Sequence, residues 1–283
     1  MARTKREIKP LETIWEVPDR LWQRIEPILT DDAPPPPKEN GGRKRIDWRA
    51  AFDGIIFRLR TGCQWNQLPK RFGDDSSVHR WFQRWCNNGV FERVWAVLVE
   101  ECDELGAVDW KWQSADGMLG RARFGGEKAG RNPTDRGKKG TKKSVLVEAD
   151  GGPLGAVIAG ANVPDCKLLD ETIEAVVVER PDPEEVEQNL CLDAGYDNPS
   201  GRAAVEKHTY VGHIRPVYED RRPKRRPGRR KARRWVVERT LSWLSKCRGL
   251  LVRYDKHAEN FLGLIQLACG PLWYRRLHKL KAA

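Results

Sequence analysis

The chain has 283 residues, with 52 Lys and Arg against 40 Asp and Glu, a formal charge of +12. A 39% hydrophobic content supports a core and excludes global disorder, while no run approaches the ~18 apolar residues of a membrane span. The basic excess points to a polyanionic partner, and the length suits one large or two modest domains.

After a loose leader over residues 1–13, whose composition lacks a secretory apolar core, Ile14 to Leu29 takes helical spacing from Pro18 onward. Residues 30–42, with four prolines and then two glycines, form an exposed connector. Asp47 is expected to cap a helix from Trp48 to about Arg60, closed by Thr61-Gly62. Ser76 is placed as the cap of the next helix, Ser77–Asn87, which turns Val78, Trp81, Phe82 and Trp85 inward and His79, Arg80, Gln83 and Arg84 outward. A fourth helix runs from about Val90 to Leu105. Short helices with a tight turn and a basic third helix match a helix-turn-helix module over residues 1–105, with Arg80 and Arg84 as DNA contacts. A plain helical bundle with a solvated basic face is the alternative.

The period changes after Gly106, over residues 106–283. Val108–Met118 is short and Trp-rich, and two strands, Lys143–Asp150 and Pro153–Gly160, are joined by the hairpin signal Asp150-Gly151-Gly152. Then come a helix over Cys166–Arg180, a buried strand over Gln188–Asp193, a helix over Pro199–Lys207, a strand over Tyr210–Ile214, and helices over about Ala232–Cys247 and Glu259–Leu280. The Arg131–Lys143 segment reads as a Gly- and Lys-rich loop, either solvated or carried to a DNA backbone by residues such as Lys138 and Lys142. Arg221 to Arg234 reads RRPKRRPGRRKARR, ten basic residues in fourteen without an acid. So many cations do not pack without partners, and Arg225, Arg226, Arg229 and Arg230 suit a phosphate-contacting arm.

The sequence carries no Gly-rich phosphate loop, no metal spacing among its five His and no nucleophile elbow. Its seven scattered cysteines form no Cys-x-x-Cys pair and read as reduced thiols of a cytoplasmic protein. What remains is carboxylates. Asp116 is expected to end the first strand, Asp193 emerges from Leu190-Cys191-Leu192 into a turn, and Glu238 sits on a helix among Trp235, Val236, Leu241 and Trp243. Singly, each has an ordinary reading as turn former or salt-bridge partner; on this strand order they converge. Asp109, Asp135, Asp150 and Asp165 compete with Asp116, although Asp165 is explained as a helix cap.

From Ile14 to about Leu277 the chain resembles insertion-sequence DDE transposases of the insertion-sequence-five group. The residues that carry the likeness are Arg58-x-Arg60-Thr61-Gly62-Cys63-x-Trp65, Leu68-Pro69, Val78-His79-x-x-Trp81-Phe82-x-x-Trp85, Asn132 to Lys142, Gly160-Ala161-Asn162-x-x-Asp165, Asp193-x-Gly195-Tyr196-Asp197 and Arg234-x-x-x-Glu238-Arg239. The resemblance implies an α/β chain: a ribonuclease-H-like mixed-sheet catalytic core preceded by a small all-α helix-turn-helix-type domain. It implies Asp116, Asp193 and Glu238 as an acidic triad holding two Mg2+ ions, with Mn2+ able to substitute. Arg234 and Arg239 are then expected near the scissile phosphate. Relatives carry a Lys seven residues after the glutamate; this chain has Ser245 there, with Lys246 beside it. The implied partners are double-stranded DNA, as terminal inverted repeats and target, and a second copy of the chain in a homodimer. The implied function is cleavage of transposon ends and their joining to target DNA. A silent DNA-binding derivative and a nuclease without strand transfer are the rivals.

Overall fold

The computed structural model describes residues 13–34, 46–216 and 233–282. Four helices come first, α1 (Asp19–Asp31), α2 (Trp48–Thr61), α3 (Asp75–Asn87) and α4 (Val90–Glu104). Asp47 caps α2 by accepting from the Arg49 amide at 2.9 Å, and Gly62 ends it at φ 69°, a left-handed conformation that favours glycine. The cap of α3 is Asp74, which accepts from the Ser77 amide at 3.0 Å, in place of the expected Ser76. Between α2 and α3 the chain makes two 3-10 turns, Trp65–Gln67 and Lys70–Phe72.

The remaining chain forms β1 (Trp112–Ala122), β2 (Gly130–Arg131), β3 (Lys139–Glu148), β4 (Pro153–Gly160), α5 (Asp165–Glu174), β5 (Asn189–Leu192), α6 (Pro199–Lys207), β6 (Val211–Ile214), α7 (Trp235–Ser245), β7 (Val252–Arg253) and α8 (Ala258–Ala282). Strand β3 begins at Lys139, so the loop expected over Arg131–Lys143 ends in sheet. Helix α5 stops at Glu174, well short of Arg180. The β-branched run Val176-Val177-Val178 is a poor helix former, and the Val177 amide bonds the Leu154 carbonyl at 3.0 Å instead.

The principal strands lie in the order β4-β3-β1-β5-β6. Strands β1, β3 and β4 are antiparallel neighbours, whereas β5 runs parallel to β1 and β6 parallel to β5. This is the mixed, ribonuclease-H-like sheet. One edge of β1 pairs with β3 along nearly its whole length. Its other edge pairs with β5 only over Trp112–Ser114 and with β7 only over Arg121–Ala122. Between them, from Ala115 to Gly120, that edge is left open, and the acidic residues gather at this gap.

Helices cover both faces, because strand residues on both are apolar. On one side Ala115, Leu146 and Leu190 pack against Leu169 of α5 and Val205 of α6. On the other, a single apolar cluster runs from Leu21 and Phe52 through Trp95 and Trp273 to Val145 and Leu241. The helical region and the sheet thus share a core. The indole nitrogens of Trp95 on α4 and Trp273 on α8 both donate to the Pro153 carbonyl, at 3.0 and 2.6 Å. Gly152 is required beside them, because a Cβ there would lie 2.3 Å from Trp273 Cζ2.

The Arg58–Trp65 motif docks the two parts together. Arg58 lies against the Trp65 ring and is buried against Asp255, 3.2 Å away. Arg60 reaches the Ile14 carbonyl at 3.3 Å and Cys247 Sγ at 3.5 Å. Removing one member of a buried ion pair strands the other, at a cost of about 3–5 kcal/mol. Asp255→Ala is therefore expected to lower stability by that amount in urea unfolding. Glu171→Ala, which breaks an exposed pair with Lys128, is expected to cost less than ~1 kcal/mol.

Candidate active site

Asp116 lies in the middle of β1, within the open-edge gap, and not at a strand end as the sequence suggested. The strand continues because β3 goes on pairing with it as far as Arg121. Asp116 Oδ1 accepts from the Gly117 amide at 2.8 Å. Burial pushes its carboxyl above the ordinary range; Gly117 and Arg234 oppose this, and the neighbouring Asp165 and Asp193 charges reinforce it.

Asp193 follows directly on β5 and caps the turn Ala194–Tyr196, accepting from the Ala194 amide at 2.6 Å. Glu238 stands in the first turn of α7. Arg234 joins them: Nη1 lies 2.6 Å from Asp193 Oδ2, and Nη2 pairs with Glu238 Oε1 one helical turn on. Both acids keep about half their side-chain surface exposed, at 49% and 47%. Both side chains therefore remain reachable from solvent.

Other basic residues expected at a DNA surface are placed differently from one another. Arg239 is stacked between Trp235 and Trp243, 4.7 Å from each ring centroid, and donates to the Asp150 carbonyl at 2.6 Å. As the residue next to Glu238 it leaves the helix in a different direction, and it acts as packing for the β3–β4 hairpin. Lys142 is buried within β3, its ammonium 2.7 Å from Asp165 Oδ2. Asp165 therefore does not cap α5; Pro164 is the cap residue. Lys138 is half-exposed beside Asp135 at 3.8 Å. Arg84 pairs with Asp32 at 3.4 Å, whereas Arg80 is exposed and forms no ion pair among the described residues. His79, expected outward, is half-buried and stacked on Trp65 at 4.6 Å, and burial lowers its pKa. Arg225, Arg226, Arg229 and Arg230 lie outside the described residues. Sequence reasoning took Tyr196 only as a motif residue and gave it no role; it is 1% exposed, and its place three residues after Asp193 was the available signal.

The donor set suits a hard divalent cation, since it consists of carboxylate oxygens only. Burial, with the Asp165 and Asp193 charges adding to it, makes the Asp116 charge costly, and a cation there would offset that cost. Arg234 bridges Asp193 and Glu238 with its own charge, so an ion shared by them requires that guanidinium to turn aside. A tighter cluster, Asp170, Glu174 and His208, has ligand atoms within 4.8 Å of one another. There Lys207 already pairs with both Asp170 and Glu174, at 2.8 and 2.6 Å. Among the described residues no helix is long and apolar enough to cross a membrane.

Residues 17–95 match the family described as "Putative transposase of IS4/5 family", and residues 100–270 the family described as "Transposase DDE domain". The "Putative transposase for insertion sequence element IS402" of Burkholderia cepacia is 34% identical over 165 residues, covering 57% of this chain and 76% of that protein. A second protein of the same organism, "Insertion element IS402 uncharacterized 16.2 kDa protein", is 35% identical over 123 residues, covering 41% of this chain and 80% of its own. Remote likenesses among solved structures include the Mos1 mariner paired end complex with Mn, at 10% identity and a TM-score of 0.30. The match covers 93% of this chain and 86% of that one. The Mos1 strand transfer complex stands at 12% and 0.31, with 93% and 85% coverage.

The raised Asp116 carboxyl has a definite pH consequence. Its favourable contribution to stability is complete in acid, below the ordinary aspartate range, and is lost as pH rises through its folded-state pKa. Asp116→Asn is accordingly expected to raise the melting temperature at pH 7. The gain should shrink to nothing in acid, where the native carboxyl is itself neutral. Thermal melts of both proteins across pH 3–8 check this.

Proposed function

The chain belongs to the IS4/5 family of DDE transposases, and from that premise we propose that it cleaves DNA at the ends of its own mobile element and joins them to target DNA. The observation that carries the reading is the convergence of Asp116, Asp193 and Glu238 around Arg234 at the open edge of β1. In this reading the three carboxylates hold the divalent ions, Mg2+ by preference. When bound, these supply Lewis acidity toward a phosphoryl oxygen and an activated oxygen nucleophile.

The chain's own residues do the rest. Rigid elements position the acids: Asp116 is held by the β1–β3 ladder, Asp193 by its capping bond, and Glu238 by α7. Burial of Asp116 raises the cost of its charge, which favours a cation there. Arg234 is tethered on α7 beside two of the acids, so a phosphodiester brought to them meets its guanidinium, a fork suited to phosphate oxygens. Residues 1–105 are assigned to recognition of terminal inverted repeats and residues 106–283 to catalysis, on a shared core. Exposed Arg80, half-exposed Lys138 and the basic arm with Arg225, Arg226, Arg229 and Arg230 are the proposed phosphate contacts. Because two ends react together, a homodimer is the proposed working form.

The test is cleavage of a labelled fragment bearing the element's terminal repeats, with Mg2+ or Mn2+. The wild type is expected to cut at the repeat end only with metal, and Asp193→Asn to bind equally well without cutting. Tight binding with no cutting by the wild type would favour a silent DNA-binding protein, and cutting without joined product would favour a nuclease. Arg234→Ala should slow cutting by more than tenfold. Arg239→Ala should cost stability while leaving the cutting rate per folded molecule within about twofold.

A further inference from the structure

Two buried polar atoms, Asp165 Oδ1 and the Tyr196 hydroxyl, lack hydrogen-bond partners among the described residues. Leaving such a group unsatisfied is costly, so native chains retain few of them without cause. The two belong together. Asp165 is the leading charged neighbour of the Tyr196 phenol, ahead of Asp116 and Asp193. One atom is an acceptor and the other a hydroxyl donor, and Asp165 Oδ1 lies against Gly117, the residue after Asp116.

Asp165 is held in place from two sides. Lys142 takes its Oδ2 at 2.7 Å and leaves Oδ1 free. Gly117, the residue after Asp116, admits the carboxylate against its backbone: a Cβ there would lie 1.9 Å from Asp165 Oδ1. The pairing with Lys142 fixes the carboxylate's position but does not account for the unpartnered oxygen. Nor does packing account for Tyr196, since a phenylalanine would fill the same volume without a stranded hydroxyl.

We propose that Asp165 and Tyr196 are positioning residues for the metal centre, with Asp165 Oδ1 accepting from and the Tyr196 hydroxyl donating to the water shell of an ion held by Asp116 and Asp193. Mg2+ and Mn2+ bound by a few carboxylates retain several waters; these donate outward to an acceptor such as Asp165 Oδ1, and the next water out accepts from a hydroxyl such as that of Tyr196. Outer partners of this sort typically change metal affinity by 10–100-fold. The assignment rests on the acidic triad proposed above and adds two residues to it.

Binding of Mn2+ to the full chain without DNA, measured by calorimetry, tests it. Tyr196→Phe and Asp165→Asn are each expected to weaken Mn2+ binding by about tenfold or more, and Asp193→Asn to weaken it further. Tyr196→Phe is the decisive variant. It keeps the ring and removes a stranded hydroxyl, so a purely structural tyrosine predicts equal or higher melting temperature and unchanged Mn2+ affinity. If Asp193→Asn loses the ion while Tyr196→Phe and a folded Asp165→Asn bind it as wild type does, the pair has no part in the centre and the proposal is overturned. If Asp193→Asn also binds as wild type does, the triad itself falls and takes this assignment with it.

Discussion

The guanidinium of Arg234 holds Asp193 and Glu238 together, and the geometry of the site depends on that bridge. Asp193 ends a short strand and Glu238 begins a helix that follows a long intervening segment; no hydrogen bond of the sheet connects them. Like charges brought this close repel one another in a medium of reduced dielectric. One cation with two forked donors compensates both acids and sets the distance between them. Asp116, fixed on β1, has no such direct partner, and burial leaves its carboxyl above the ordinary range. Burial thus makes the charge of Asp116 costly, a cost that a divalent cation held there would offset.

The rest of the fold supplies rigidity. Strand β1 carries Asp116 while pairing with β3 along one edge, and its other edge is interrupted where β5 ends and β7 begins. That interruption lets side chains from α5, the turn after β5 and α7 reach one strand residue. The helical region is not a detachable appendage in packing terms. Trp95 and Trp273 meet at the Pro153 carbonyl, and Arg58 is buried against Asp255. Arg58 and Arg60, two of the residues that carry the family likeness, therefore act as joints within the core.

How much of this was legible in the sequence depended on the kind of signal. The strand and helix order, the hairpin at Asp150-Gly151-Gly152 and the caps at Asp47 and Gly62 follow from local periodicity and turn chemistry, and they recur in the structure. Element limits set by long-range pairing did not: β1 runs past Asp116 because β3 pairs with it, and α5 ends early because Val177 bonds β4. Asp116, Asp193, Glu238 and Arg234 were identifiable as an acidic group with a basic neighbour. Their bridging geometry was not. Arg239 and Lys142 share the charge of surface residues but are held by tryptophan rings and by Asp165, and composition carries no trace of either contact. Tyr196 was legible as a motif residue but not in its role, because a buried hydroxyl is defined by the partners it lacks, which only the three-dimensional arrangement reveals.

The central claim, that the acids around Arg234 form a cation site, is tested most directly by diffraction from crystals soaked in Mn2+, using the ion's anomalous scattering. The account predicts a Mn2+ peak contacting Asp116 and Asp193, with the Arg234 guanidinium turned away from the bridge seen here. A peak confined to Asp170, Glu174 and His208, or no peak with Arg234 still spanning Asp193 and Glu238, would contradict it.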